Sequence, residues 1–238
     1  MTELTEGHTV RQFDGDLANL RVMVLEMGGL VLDQAEKAVR AILEGNSELA
    51  TTVVERDAEV DRYDERVDEE SYRVLVRRQP VATDLRAVIA IGKSVADLER
   101  AGDEARKIAR YALSLGSDTS PRPAPEIVYD VRRMAETALP MLRQAIECFD
   151  DLDAVAATAL IDQDDEVDAE FRAATRRLLT LVLEDGRNMR HAIEAMFIVK
   201  ALERIGDHAK NIAAHVSYLV HGRDVRHAHG LELHRSID

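Results

Sequence analysis

The chain has 238 residues, 46 % apolar and 32 % charged, with five prolines, no tryptophan and a formal net charge of −14. That charge sets it against polyanions: duplex nucleic acid and an anionic membrane surface would both repel it, so no nucleic-acid partner is expected, whereas cations and basic protein faces suit it. The single cysteine, Cys148, excludes an internal disulfide; no apolar run reaches the ~18 uncharged residues of a membrane span, the polar start "MTELTEGHTVRQFDGD" lacks a signal-peptide core, and a reducing, cytoplasmic setting is expected.

Ala, Leu, Val, Glu and Arg dominate, which predicts a helical protein. The first helix, about 17–44, has apolar residues at Leu20, Val24, Met27, Val31, Ala35, Ala38 and Ile42, a stripe at helical spacing. "MGG" (Met27–Gly29) is expected to loosen or kink it. The second helix begins after a cap-type residue, Asn46, and stops before Pro80. Its stripe runs Val53 and Val54, then Asp57, Asp61, Asp64 and Asp68, then Ser71, Val74 and Leu75, with four aspartates where aliphatics would ordinarily lie. The third, about 83–113, keeps a heptad seam of Val88, Ile91, Val95, Leu98, Gly102, Ala105, Ala109 and Ala112, the spacing of near-antiparallel bundle packing. Gly116–Pro125 reads as a linker. In the fourth helix Pro140 should produce a kink or mark the effective start. Asp153 caps the fifth, and the sixth repeats the seam at Ala192, Ala195, Val199, Leu202, Gly206, Ala209, Ala213 and Val216. The tail after Gly222 is polar, and its His221, His227, His229 and His234, with Asp224, suit either a metal or a solvated tail.

The chain is duplicated. A shift of 104 lays Leu98-Glu99-Arg100 on Leu202-Glu203-Arg204 and Gly102-Asp103 on Gly206-Asp207; a shift of 107 lays Asp57 on Asp164 and Val60-Asp61 on Val167-Asp168. The expected fold is all-α, a tandem repeat of two antiparallel three-helix bundles with six helices. The divisions are 1–115 for the first repeat, 116–125 for the linker, 126–222 for the second repeat and 223–238 for a His-rich tail.

Glu99 and Asp103, like Glu203 and Asp207, are four apart and follow seam positions, so they stand at the border of the core. If they share a groove with Asp57 and Asp61, or with Asp164 and Asp168, crowded carboxylates must protonate or gain a counter-charge. Hard oxygen donors without cysteine suit Mg, Ca, Mn or iron, and the carboxylates outnumber what one ion needs, so a multinuclear site is open. The alternatives are a solvated face, or internal neutralisation by Arg100 and Arg204 or by Arg106 and Lys210. Gly102 and Gly206 are expected to admit a neighbouring helix, with backbone access for an ion or anion as the alternative. His191, His208 and His215 read as surface or border residues, and Cys148 as a core filler. There is no phosphate loop, nucleophile elbow or H-E-x-x-H motif, and no Glu stands three residues before a His as a ferritin-like di-iron site wants.

"LERxGD…IA" twice, each with "DxxVD" upstream, together with "MGGLV", "RRQPVATDLRAVIAIGKSVADLERAGDEARKIAR" and "YLVHGRDVRH", resembles the PhoU family of bacterial phosphate-signalling regulators. The resemblance implies two three-helix bundles, a homodimer, no enzymatic activity and no organic cofactor. It implies repression of the phosphate-starvation response when phosphate is plentiful. The chain would link the ATPase subunit of the phosphate ABC transporter to a membrane sensor histidine kinase, and would meet the membrane only through these partners. It also implies multinuclear metal clusters, of iron or of Mn, Zn or Mg, at Asp57, Asp61, Glu99 and Asp103 and at Asp164, Asp168, Glu203 and Asp207. The second repeat has Phe171 and Thr175 where the first has Asp64 and Asp68, so the two sites are not expected to hold equal numbers of ions. The rival functions are a metal-storage protein or metal-dependent helical enzyme, and a purely structural coiled-coil scaffold.

Overall fold

The computed structural model describes residues 11–115 and 123–222; the expected tail histidines His227, His229 and His234 and most of the expected linker lie outside them. The described residues form six long α-helices: α1 Arg11–Glu44, α2 Ser47–Arg78, α3 Ala82–Leu115, α4 Pro125–Asp151, α5 Ala154–Glu184 and α6 Met189–His221. A single 3-10 turn, Gly186–Asn188, leads into α6. α1 begins earlier than expected because Phe13, which is buried, extends its apolar stripe one turn toward the N-terminus.

The caps act as their chemistry predicts. Asn46 Oδ1 accepts from the Leu49 N–H at 3.0 Å, and Asp153 Oδ1 accepts from the Val155 and Ala156 N–H groups at 3.0 and 2.9 Å. α2 ends at Gln79 in the left-handed region, one residue before Pro80, and α6 ends at Gly222 in the same conformation. Pro140 does not mark the start of α4, and both helices are unbroken at the positions where a kink was expected. α4 runs from Pro125 through Pro140 to Asp151. α1 is continuous through Met27–Gly29, where Gly28 serves a contact: a Cβ there would stand 3.1 Å from Ile146 Cγ1 of α4.

Within each repeat the three helices pack on one another, and α2 and α5 touch only helices of their own repeat. The repeats join through α3 on α6 and α1 on α4. The order across the molecule is therefore α2, then α1 and α3, then α4 and α6, then α5. The central helices are buried on two sides, so besides its heptad seam α3 buries Ala87, Ala90, Ser94, Asp97, Ala101, Glu104 and Ile108.

Every seam residue named above in α3 and α6 is buried. The repeated glycines sit where the outer helix comes closest: a Cβ on Gly102 would lie 3.3 Å from Val60 Cγ1, and one on Gly206 3.1 Å from Val167 Cγ1. These valines are equivalent under the 107 shift, so each repeat uses one glycine to admit one valine. Packing accounts for the glycine.

This contact is testable by a double-mutant cycle in urea unfolding. Gly206→Ala gains helix propensity but crowds Val167, so it should be tolerated better by about 1 kcal/mol in a Val167→Ala background than in wild type. Strict additivity would remove the packing role.

Candidate functional site

Close approach of α2 to α3 sets carboxylates from both helices along one groove. Asp57 and Asp61 flank Val60 on α2, and Glu99 and Asp103 flank Gly102 on the antiparallel α3. Arg106, expected together with Lys210 to neutralise the acids, bridges this groove. One guanidinium nitrogen donates to Asp57 Oδ2 and the other to Asp103 Oδ1. Asp57 is 5 % exposed. Burial pushes its carboxyl up, Arg106 pulls it back, Asp61 adds repulsion, and the net position is above the ordinary value. Glu99, half-buried, is raised by desolvation and then by Asp103, Asp64 and Asp61. Asp64 is raised by desolvation, then by Asp68 and Asp61. Asp61 and Asp68 face solvent.

The α5–α6 groove repeats the scaffold with different partners. Lys210, at the position equivalent to Arg106, donates to Asp164 Oδ2. Lys200 Nζ lies 2.6 Å from Glu203 Oε2, and Arg172 reaches Asp168 at 3.6 Å. The Lys200 ammonium also stands 5.1 Å from the centroid of Phe171. Glu203, 8 % exposed, is still raised by its burial, with Lys200 opposing.

These acids cost the fold stability at neutral pH. A carboxyl whose folded-state pKa is raised contributes stability that is complete below its unfolded pKa and is lost as pH rises through the folded pKa. A counter-cation would return it. In the first groove the donors are hard oxygens and Asp103, Asp64 and Asp61 repel Glu99 against the weaker pull of Arg100, so Glu99, Asp103, Asp61 and Asp57 suit a divalent metal. The second groove does not suit it equally, because Glu203, Asp164 and Asp168 each hold a side-chain cation. Among the described residues no three His, Cys, Asp or Glu side chains are already drawn together as a metal set.

A second polar site escaped the sequence reading. His191, His208 and His215, expected at the surface or border, are all buried. Asp97 of α3, 6 % exposed, pairs its Oδ1 with His208 Nδ1 at 2.9 Å and its Oδ2 with His215 Nε2 at 3.0 Å. Asn211 Nδ2 donates to Oδ1 at 3.2 Å. Burial alone would raise Asp97, but the two imidazole hydrogen bonds overcome it and hold the carboxyl well below its ordinary range. The same seam buries Glu104 beneath Lys107 at 2.9 Å and Arg204 at 3.1 Å, and stacks Tyr111 on Phe197. The available signal was spacing: Asp97 and Glu104 are seven apart on α3, as His208 and His215 are on α6, so each pair marks one face of its helix. Cys148 is buried as expected, and burial followed by Asp153 pushes its thiol up to about 11.

The family model for the PhoU domain matches this chain twice, at residues 24–112 and 131–216. The chain belongs to the PhoU domain family. Each matched PhoU domain contains one groove. The chain is 42 % identical over 220 residues to a Pseudomonas putida protein named phosphate-specific transport system accessory protein PhoU homolog, covering 92 % of this chain and 85 % of that one. It is 36 % identical to the Escherichia coli phosphate-specific transport system accessory protein PhoU, covering 97 % and 94 %. The crystal structure of PhoU from Pseudomonas aeruginosa superposes with a TM-score of 0.85 at 41 % identity, over 89 % of this chain and all of that one. The Streptococcus pneumoniae phosphate transport system regulatory protein PhoU gives 0.80 at 28 % identity, over 90 % and 99 %. The six helices and doubled PhoU domain agree with the expected fold. No helix among the described residues is long and apolar enough to cross a membrane.

Two stability measurements follow. In chelator-treated protein Glu99→Gln should raise Tm at pH 7, by about 2–4 °C for each kcal/mol relieved. That gain should vanish as pH falls below about 4, where the wild-type carboxyl is neutral folded or unfolded; an unchanged or lowered Tm at pH 7 contradicts the repulsion. Asp97→Ala should cost roughly 2–4 kcal/mol at pH 7, since it orphans two buried imidazoles. Because Asp97 is depressed, its stabilisation is complete above the unfolded carboxylate pKa and is lost as pH falls. The deficit should therefore narrow in acid, as read by urea unfolding at both pH values.

Proposed function

We propose that this PhoU-domain chain is a regulatory accessory protein of phosphate transport. It works by binding rather than catalysis, as a cytoplasmic homodimer. It links the ATPase subunit of the phosphate ABC transporter to a sensor histidine kinase and keeps the phosphate-starvation response off when phosphate is plentiful. The observation that carries this reading is the end-to-end correspondence of both repeats with proteins named as phosphate-transport accessory proteins.

The grooves supply a physical means of binding. Each outer helix, α2 or α5, presents a carboxylate-lined face against its neighbour, and a basic surface on a kinase or transporter domain would meet an attractive field there. A divalent or multinuclear metal centre belongs to the same reading. Glu99, Asp103, Asp61 and Asp57 are the first-repeat residues that would hold it, with Arg106 giving way. Metal charge there would lower the negative field and stiffen the groove.

A deletion in a phosphate-sensing host is the direct test. Loss of the gene should derepress a phosphate-starvation reporter in rich phosphate, and the wild-type chain should restore repression. A reporter that stays repressed without the protein removes the adaptor reading.

A further inference from the structure

The two grooves share a backbone plan but not a charge plan. The 104 shift sets Lys210 on Arg106 and Lys200 on Ala96; the 107 shift sets Arg172 on Glu65, Phe171 on Asp64 and Thr175 on Asp68. Two carboxylates and an alanine of the first repeat thus correspond to an aromatic ring, a hydroxyl and a lysine in the second, and a further glutamate to an arginine. The charged replacements are in contact with the groove's own acids. Lys200 lies 2.6 Å from Glu203 and over the Phe171 ring, Arg172 reaches Asp168 at 3.6 Å, and Lys210 holds Asp164. The first groove has six acids along its α2 and α3 stripes, Asp57, Asp61, Asp64, Asp68, Glu99 and Asp103, and Arg106 pairs with two of them, Asp57 and Asp103.

We propose that the second repeat carries its own counter-cations, with Lys200 and Lys210 occupying the charge role of a metal, so that its groove takes no divalent ion and only the first groove responds to one. This rests on the reading of the first groove as a cation site. The chemistry is that of competition. A divalent ion entering the α5–α6 groove would have to strip Glu203 and Asp164 from ammonium groups held in place, and it would find Phe171 where the first groove offers Asp64. An aromatic face holds an ammonium through its quadrupole but gives a hard divalent ion no oxygen to coordinate. The two acidic faces therefore differ in control: the α5–α6 face keeps a fixed charge, while the charge of the α2–α3 face depends on the cation supply.

The test uses the full chain, freed of metal with chelator, and Mn2+ as the probe. The readouts are Tm against Mn2+ concentration and Mn2+ bound per chain by equilibrium dialysis. Wild type should gain Tm with Mn2+, and Glu203→Gln with Asp207→Asn should keep that gain. Lys200→Ala with Lys210→Ala should bind more Mn2+ than wild type, and adding Glu203→Gln should abolish the excess. Lys200→Met, which keeps the stem over Phe171, replaces the double variant if that fails to fold. Loss of the wild-type Mn2+ response in Glu203→Gln/Asp207→Asn overturns the proposal, as does no added binding in the lysine variants. A wild type that ignores Mn2+ removes the metal reading of the first groove; the lysine variants then still decide the present inference by gaining Mn2+ binding or not.

Discussion

The arrangement depends on Asp97. A carboxylate set between two helices of different repeats and withdrawn from water must be satisfied by its neighbours or drive the repeats apart. Here both oxygens are engaged, one by His208 and Asn211 and the other by His215. All three partners lie on α6, so Asp97 fixes the position of α3 along α6. The contacts beyond it keep that register: Glu104 with Arg204, Tyr111 on Phe197, and Ser114 with Glu194 at 3.0 Å. Partner numbers fall on α6 as they rise on α3, as an antiparallel pair requires. On the other side Arg21 meets Asp150 at 3.1 Å and Gly28 admits Ile146, so α1 and α4 close the same central layer.

A centre built from first and third helices leaves the second helices outside, and the grooves follow from that. α2 and α5 each bury one face, and Val60 and Val167 come close enough to need glycine opposite them. Close approach brings the flanking acids of both helices together. Glu99, Asp57 and Glu203 are all held above their ordinary carboxylate range, chiefly by burial. The fold accepts that repulsion in both repeats, which is why the grooves, rather than the buried centre where both Asp97 oxygens are hydrogen-bonded, are the surfaces assigned to partners.

Much of this was legible in the sequence because it is local or repeated. Helix lengths, the Asn46 and Asp153 caps and the two seams come from spacing within one helix, and the repeat shift exposed the shared glycine and the acid pairs. The central seam was not legible. His208 lies 111 residues from Asp97 and His215 lies 118, and heptad arithmetic puts a residue on a face without saying which helix covers that face. The 104 shift sets His208 on Glu104 and Asn211 on Lys107, so the repeats differ at these positions. In the structure Glu104, His208 and Asn211 all belong to the joint, where duplicated helices face each other and identical charges would repel. The salt bridges of the second groove divide the same way: Lys200 and Glu203 are three apart and readable, whereas Lys210 and Asp164 are 46 apart and only the fold brings them together.

The central claim is that the two PhoU domains are one cooperative body held through α3 and α6. Native-state hydrogen exchange tests it most directly, because amides that open only on global unfolding report the stability of the unit they belong to. The best-protected amides of α3 and α6 should exchange with the same free energy, equal to that of global unfolding, while α2 and α5 open at lower cost. Distinct maximum free energies for α1–α3 and α4–α6 would mean two independently folding repeats and would contradict it.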